Sequence, residues 1–156
     1  MNDDTIAALS TPLGIAGIAL IRVSGKNTLS IINNIVERTQ KKIIPKRAYH
    51  AFIVNESKRV DECVVTLYKK PNSYTGEDIA EISIHSNPFI IEEVLELILR
   101  NNARRALPGE FTYRAFKNRK IDLIQAESVN ELINANSKYY ASMKFGNLEG
   151  KLSELI

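Results

Sequence analysis

Three charged side chains, far apart in the chain, are placed where they could meet a ligand. Arg22 lies near the end of an apolar run, Gly17–Ser24 (GIALIRVS), where an unpaired charge would be expensive. It therefore needs solvent, a carboxylate or an anionic ligand. Glu81 belongs to an alternating segment in which Ala80, Ile82 and Ile84 point one way and Ile79, Glu81, Ser83 and His85 the other. A polar row on a strand otherwise made for burial is either a solvent face or the floor of a pocket. Lys120 closes a basic cluster that follows the turn Pro108-Gly109, with Arg114, Lys117 and Arg119 before it. Such a cluster is either a solvated helix face or a site for an anion.

Other chemistries find less support. Cys63 is the only cysteine, so no internal disulfide or cysteine-based metal cluster can form, as suits a reducing cytoplasm. Its apolar neighbours mark it as a small buried hydrophobe. With His50 and His85 the only histidines, no metal site is expected. Glu77 and Asp78 are adjacent on an expected strand and face apart, which argues against an acid/base dyad. Ser24-Gly25-Lys26-Asn27 faintly resembles a phosphate-binding loop. The pattern fails, because Leu20 stands where its first glycine should be and Asn27 where Ser or Thr should follow the lysine.

Charge is modest overall, +3, but unevenly spread. Arg100, Arg104, Arg105, Arg114, Lys117, Arg119 and Lys120 stand against Glu110 alone between residues 100 and 120. A second run from Arg38 to Arg59 includes Lys41, Lys42, Lys46, Arg47 and Lys58. Patches of this kind attract polyanions, or simply solubilise a surface. The acidic start MNDD is not that of a signal peptide, and the longest apolar run, Leu13–Ile21, is too short to span a bilayer. A soluble protein without a membrane partner is expected.

The elements that would position these residues form an α/β pattern. Thr5–Leu9 reads as a short strand, and Gly17–Ser24 as a central strand covered on both faces. A helix after Ser24 would bury Leu29, Ile32, Ile35 and Val36. Segments 47–54 and 60–68 form a hairpin about Asn55–Lys58. The strand carrying Glu81 leads to a helix capped by Asn87, with Pro88 in its first position and Ile90, Ile91, Val94, Leu95 and Ile98 as its buried stripe. Arg104–Leu107 offers one more strand. Beyond Pro108 the chain is expected to hand over to a long helix. Leu123, Ala126, Val129, Leu132 and Ile133 recur at helical spacing, and Ala141, Phe145, Leu148, Leu152 and Leu155 form a second stripe. A last helix amphipathic to its final residue predicts a truncated chain, whose missing partner lies in another chain or in deleted sequence.

Five motifs occur in order: Thr5-Ile6-Ala7-Ala8, Thr11-Pro12-Leu13-Gly14, Ile21-Arg22-Val23-Ser24-Gly25, Pro71-Asn72-Ser73-Tyr74-Thr75-Gly76-Glu77-Asp78, and Pro108-Gly109-Glu110-Phe111-Thr112 onward to Gln125-Ala126-Glu127. Together they resemble the N-terminal part of the tRNA-modifying GTPase family called MnmE or TrmE, from Thr5 to about Glu154. The resemblance implies an N-terminal α/β (α+β) domain, a mixed sheet packed with helices. That domain is similar to the tetrahydrofolate-binding domain of the glycine-cleavage T-protein and forms a homodimer. Residues 1–120 would be this domain and residues 121–156 the beginning of a helical domain. GTP, magnesium and potassium belong to a G domain that this chain lacks, as it lacks the family's C-terminal cysteine motif, so GTP hydrolysis is not expected of it. The family acts with an FAD-containing partner, MnmG or GidA, on carbon 5 of the wobble uridine of tRNA, in the cytoplasm.

By matching motifs the resemblance makes Arg22, Glu81 and Lys120 contacts of 5-formyl-tetrahydrofolate or a related reduced folate. A pterin ring offers an N–H and an amino group side by side, and one carboxylate such as Glu81 accepts both. Arg22 and Lys120 are fitting donors to the anionic or electron-rich parts of the ligand, each charged hydrogen bond contributing roughly 1.5–3 kcal/mol. Two departures bear on the backbone beside the ligand. His85-Ser86-Asn87 replaces the usual His-Gly-Gly, and Asn118-Arg119-Lys120 replaces Asn-Gly-Lys, where glycine permits conformations and close approaches that larger residues resist. Two readings therefore stand: a folate-binding, dimerising domain, or a scaffold that grips tRNA or the partner through basic patches without binding folate.

Overall fold

The computed structural model describes residues 4–38 and 43–150. Lys41, Lys42, Leu152 and Leu155 lie outside the described residues. The chain divides into two compact units. The first runs to Ser73 and resumes over Glu77–Leu107; the second takes the chain from Pro108 onward together with the excursion Tyr74–Gly76.

Among the described residues the first unit holds a seven-stranded mixed sheet and two helices. The strands are β1 (Thr5–Leu9), β2 (Ile18–Ser24), β3 (Val36–Glu37), β4 (Ala48–Asn55), β5 (Lys58–Tyr68), β6 (Ile79–His85) and β7 (Ala103–Arg105), in the order β3-β4-β5-β6-β2-β1-β7. All pairings are antiparallel except β1 with β7. This is the mixed α/β class that the sequence predicts. Helices α1 (Thr28–Ile35) and α2 (Pro88–Arg100) cover one face of the sheet. Ala19, Ile21, Val23, Ala80, Ile82, Ile84, Val65 and Leu67 meet Ile31, Ile32, Ile35, Val94 and Ile98 there in a single core. Asn87 caps α2 by accepting from the Phe89 and Ile90 amides, with Pro88 where no amide hydrogen is missed.

Two sequence expectations fail on burial. β2 is central but is not covered on both sides: Ala19, Ile21 and Val23 are buried, whereas Ile18 is 65% exposed and Leu20 and Arg22 are half-buried. Its apolar run reflects position in the sheet more than double coverage. In α1 the buried set is Thr28, Ile31, Ile32 and Ile35, while Leu29 is exposed and Val36 has left the helix to begin β3. The stripe is rotated because Thr28 turns inward, its hydroxyl donating to the carbonyls of Gly25 at 2.8 Å and Asp78 at 3.1 Å.

That junction has no room for a larger residue at position 25. Gly25 has φ 134°, and a Cβ there would stand 2.7 Å from the Thr5 Cα. Its amide donates to the Asp78 carbonyl at 3.0 Å, and the next amide but one, of Asn27, donates to Thr5 Oγ1 at 2.9 Å. Ser24 Oγ donates to Glu77 Oε2 at 2.8 Å. Three of the sequence motifs thus close on one another at the end of β2, where they fix the strand that carries Arg22.

The second unit contains α3 (Glu110–Lys117), α4 (Leu123–Ile133) and α5 (Lys138–Leu148) among the described residues. A turn at the basic cluster separates α3 from α4. Arg119 takes the left-handed conformation at φ 57°, its amide donating to the Phe116 carbonyl. Asp122 then opens α4 with a capping box completed by Gln125. The position that carries glycine in the family pattern thus demands positive φ here too, and an L side chain adopts it at a cost of about 1 kcal/mol. At the other departure Asn87 sits at φ −113°, ψ 128°, a conformation open to any residue. Arg119 is exposed and has no ion pair among the described residues. Arg119→Gly is therefore expected to raise the unfolding free energy by about 1 kcal/mol, seen as a higher urea midpoint; an unchanged or lower midpoint would show that the strain is absent.

Candidate functional site

The antiparallel register of β2 with β6 sets Arg22 directly opposite Glu81, and that of β5 with β6 sets Thr66 opposite Glu81. Side chains at these positions stand on the sheet face that α1 and α2 leave uncovered, together with Leu20, Ser83 and Tyr68. Arg22 Nη2 donates to Glu81 Oε1 at 2.7 Å and Nε to the same oxygen at 3.1 Å. Tyr68 Oη donates to Oε2 at 3.3 Å. The two charged side chains keep about a quarter of their surface, 25% and 23%. They are largely desolvated and remain reachable. Burial first, then the negative charge of Glu81, raises the Tyr68 phenol above its ordinary value.

Of the three residues predicted as ligand contacts, Arg22 and Glu81 are thus brought together. Lys120 belongs to the second unit, where it packs beside Gly76: at φ 77°, a Cβ on Gly76 would lie 3.2 Å from Lys120 Cγ and 3.1 Å from Asn118 Cβ. Asn118 Nδ2 donates to the Thr75 carbonyl at 2.7 Å and Tyr74 shares a hydrogen bond with Thr112 at 2.9 Å. Tyr74 therefore braces its loop. The Pro71–Asp78 motif contributes Tyr74–Gly76 to one unit and Glu77–Asp78 to the other.

The basic clusters are less free than the sequence suggests. Arg100 pairs with Glu96 at 3.1 Å, Arg104 with Asp4 at 2.5 Å, Arg105 with Glu92 at 2.5 Å, and the buried Arg114 with Glu110 at 3.1 Å. Arg59 makes a two-pronged contact with Glu37 and lies 3.9 Å from the Phe52 ring. Lys117, Arg119 and Lys120 are exposed and have no ion pair among the described residues. Neither Arg104–Asp4 nor Arg105–Glu92 has a local sequence signal, since partner and base are far apart in the chain.

Glu77 and Asp78 are separately engaged and form no dyad. Glu77 holds Ser24, while Asp78 takes Lys69 Nζ at 2.5 Å and the Lys70 amide at 3.0 Å. Burial pulls the Asp78 carboxyl up, but these donors outweigh it and hold it below its ordinary value. A cavity of about 330 Å³ opens on the same sheet face, lined by Ile18, His50, Cys63, Val64, Ser83 and His85 among others, and not by Arg22 or Glu81. Cys63 is buried, and burial with the charges of Asp61 and Glu62 pushes its thiol up to about 12, so it is no nucleophile. Among the described residues no cluster of histidine, cysteine and carboxylates is placed to hold a metal, and no helix is long and apolar enough to cross a membrane.

Residues 5–120 match the family model described as the GTP-binding protein TrmE N-terminus. The chain belongs to that family. Within it, the chain is 44% identical over 153 residues to a "tRNA modification GTPase MnmE" of Thermotoga sp. (strain RQ2), covering 98% of this chain and 34% of the relative. A protein of the same name from Endomicrobium trichonymphae is 43% identical over 156 residues, 100% of this chain and 34% of its own length. One from Francisella philomiragia is 43% identical over 153 residues, covering 98% and 33% respectively. The chain spans about a third of the length of these curated relatives, which are named for tRNA modification and GTPase character. For a TrmE N-terminal chain the motifs Ser24-Gly25 and Glu77-Asp78 have a structural explanation in the junction at the end of β2.

His85, in the altered His-Ser-Asn stretch, is held by Asp61: its amide donates to Oδ2 at 2.9 Å and Nδ1 lies 2.7 Å from Oδ1. The hydrogen bond to Asp61, then its charge, raise His85 above the ordinary value of 6.5. A raised histidine contributes stability that is fully present below the unfolded value and is lost as pH rises through the folded one. An NMR titration is expected to place His85 above 6.5, and Asp61→Asn to bring it back down. A wild-type midpoint at or below the ordinary value would contradict the pairing.

Proposed function

We propose that this chain binds a reduced folate of the 5-formyl-tetrahydrofolate type at the uncovered sheet face, with Glu81 as acceptor for a donor of the pterin ring. The observation that carries the reading is the half-buried Arg22–Glu81 pair, set face to face by strand register on a surface with no helix above it in its own unit. A carboxylate paired with a guanidinium and partly withdrawn from water makes stronger hydrogen bonds than one in bulk solvent. Lys120 is kept in the ligand set on the family resemblance alone.

The relatives' names give tRNA modification by a GTPase; the finer setting follows from the family resemblance alone. As part of a longer protein, this region would deliver a one-carbon unit to modification of carbon 5 of the wobble uridine of tRNA, as a homodimer, alongside the FAD-containing MnmG and a GTP-hydrolysing G domain. The cytoplasm is where such chemistry would take place. A second reading, a scaffold that contacts tRNA without binding folate, draws on Lys117, Arg119 and Lys120, the exposed bases left without a carboxylate among the described residues.

Calorimetry with 5-formyl-tetrahydrofolate separates the two. The folate reading expects binding by the wild type and an affinity about 10- to 100-fold lower for Glu81→Ala. An absence of heat with the wild type would favour the scaffold.

A further inference from the structure

We propose that Tyr68 is a positioning residue of the folate site, holding the Glu81 carboxylate in the orientation that the ligand reads. The inference rests on the folate reading above. Its starting point is a count of the carboxylate's acceptor capacity. Each carboxylate oxygen offers two lone pairs. Arg22 fills both sites of Oε1, through Nη2 at 2.7 Å and Nε at 3.1 Å. On Oε2 the Tyr68 hydroxyl occupies one, at 3.3 Å. One strong acceptor site is left, on Oε2, for a donor arriving at the uncovered face.

A guanidinium that grips a single oxygen does not stop the carboxylate from turning about its terminal bond. The hydroxyl on the other oxygen does, because the two donors come from different strands, Arg22 from β2 and Tyr68 from β5, with Glu81 on β6 between them. Register makes this possible: Tyr68 lies opposite Ile79, two residues from Glu81 on the same face. Tyr68 thus fixes the direction of the remaining lone pair, and a ring N–H meets an acceptor already aimed at it. The phenol is half-buried and its proton is held more firmly than in water, so the hydroxyl stays a donor throughout the neutral range. Tyr68 is too exposed to be a core residue, and among the described residues its hydroxyl makes no hydrogen bond to the backbone.

The test uses the whole chain and 5-formyl-tetrahydrofolate in calorimetry, with wild type and Tyr68→Phe. The expected result is an affinity about tenfold lower for Tyr68→Phe, with a thermal midpoint like that of the wild type. Equal affinity for the two proteins would overturn the positioning role and leave the folate reading standing. No binding by the wild type would remove the folate reading and this inference with it. Should Tyr68→Phe fail to fold, ultraviolet titration of the phenol decides the matter: Glu81→Gln is expected to lower the Tyr68 midpoint. An unmoved midpoint would show that the hydroxyl does not rest on that carboxylate in solution and would overturn the proposal.

Discussion

The pairing of β2 with β6 is the constraint on which the rest depends. It runs from Ile18 opposite His85 to Ser24 opposite Ile79, and a slip by one residue would send every side chain to the opposite face. Arg22 would then enter the helix-covered core, where a charge without a partner would cost several kcal/mol or more. The register is held from both ends of the argument: Ala19, Ile21 and Val23 must lie with Ala80, Ile82 and Ile84 beneath α1 and α2, and the Gly25–Asp78 hydrogen bond fixes the strand end. Folding and site formation are therefore the same event in this unit. The hydrophobic demand on one face sets the polar arrangement on the other.

Several motifs that mark the family are explained by packing rather than chemistry. Thr5, Ser24, Gly25, Thr28, Glu77 and Asp78 close a junction between β1, β2, α1 and the loop before β6. Gly25 is required because Thr5 backbone occupies the space a side chain would need. At Gly76 the positive φ of 77° strains any side chain, and a Cβ would crowd the side chains of Asn118 and Lys120. Arg22, from the same motif as Ser24 and Gly25, instead pairs with Glu81, which Tyr68 also holds.

Much of this was legible in the chain. The strict alternation from Ile79 to His85 gave β6 its two faces, although Ile79 on the polar row is buried at the strand's start. Asn87-Pro88 announced α2, and the ordered motifs pointed to the family. The sequence did not reveal that α1 and α2 cover only one face of β2, because β2 is apolar at Ile18 and Leu20 for reasons that its own neighbours do not explain. Nor did it reveal which bases were neutralised. Arg104 meets Asp4 a hundred residues away, and Arg114 turns inward to Glu110, so a cluster that looks dense along the chain is thinned in space. Tyr68 escaped notice because it lies at a strand end, thirteen residues from the carboxylate it contacts. Only the β5–β6 register brings them together. The first apolar stripe expected on the later helices lines an exposed groove of about 620 Å³, with Leu123, Val129 and Ile133 of α4 beside Tyr113 and Phe116 of α3; Ala141, Phe145 and Leu148 of the second stripe do not line it.

What matters most is whether strand register has built a ligand site or only a well-paired surface. A crystal structure of the chain grown with 5-formyl-tetrahydrofolate tests this most directly. The account predicts the pterin ring against the uncovered face of β2 and β6, with a ring or amino nitrogen within hydrogen-bond distance of Glu81 Oε2. A ligand seated elsewhere, with Glu81 contacted by Arg22 and Tyr68 alone, would contradict it.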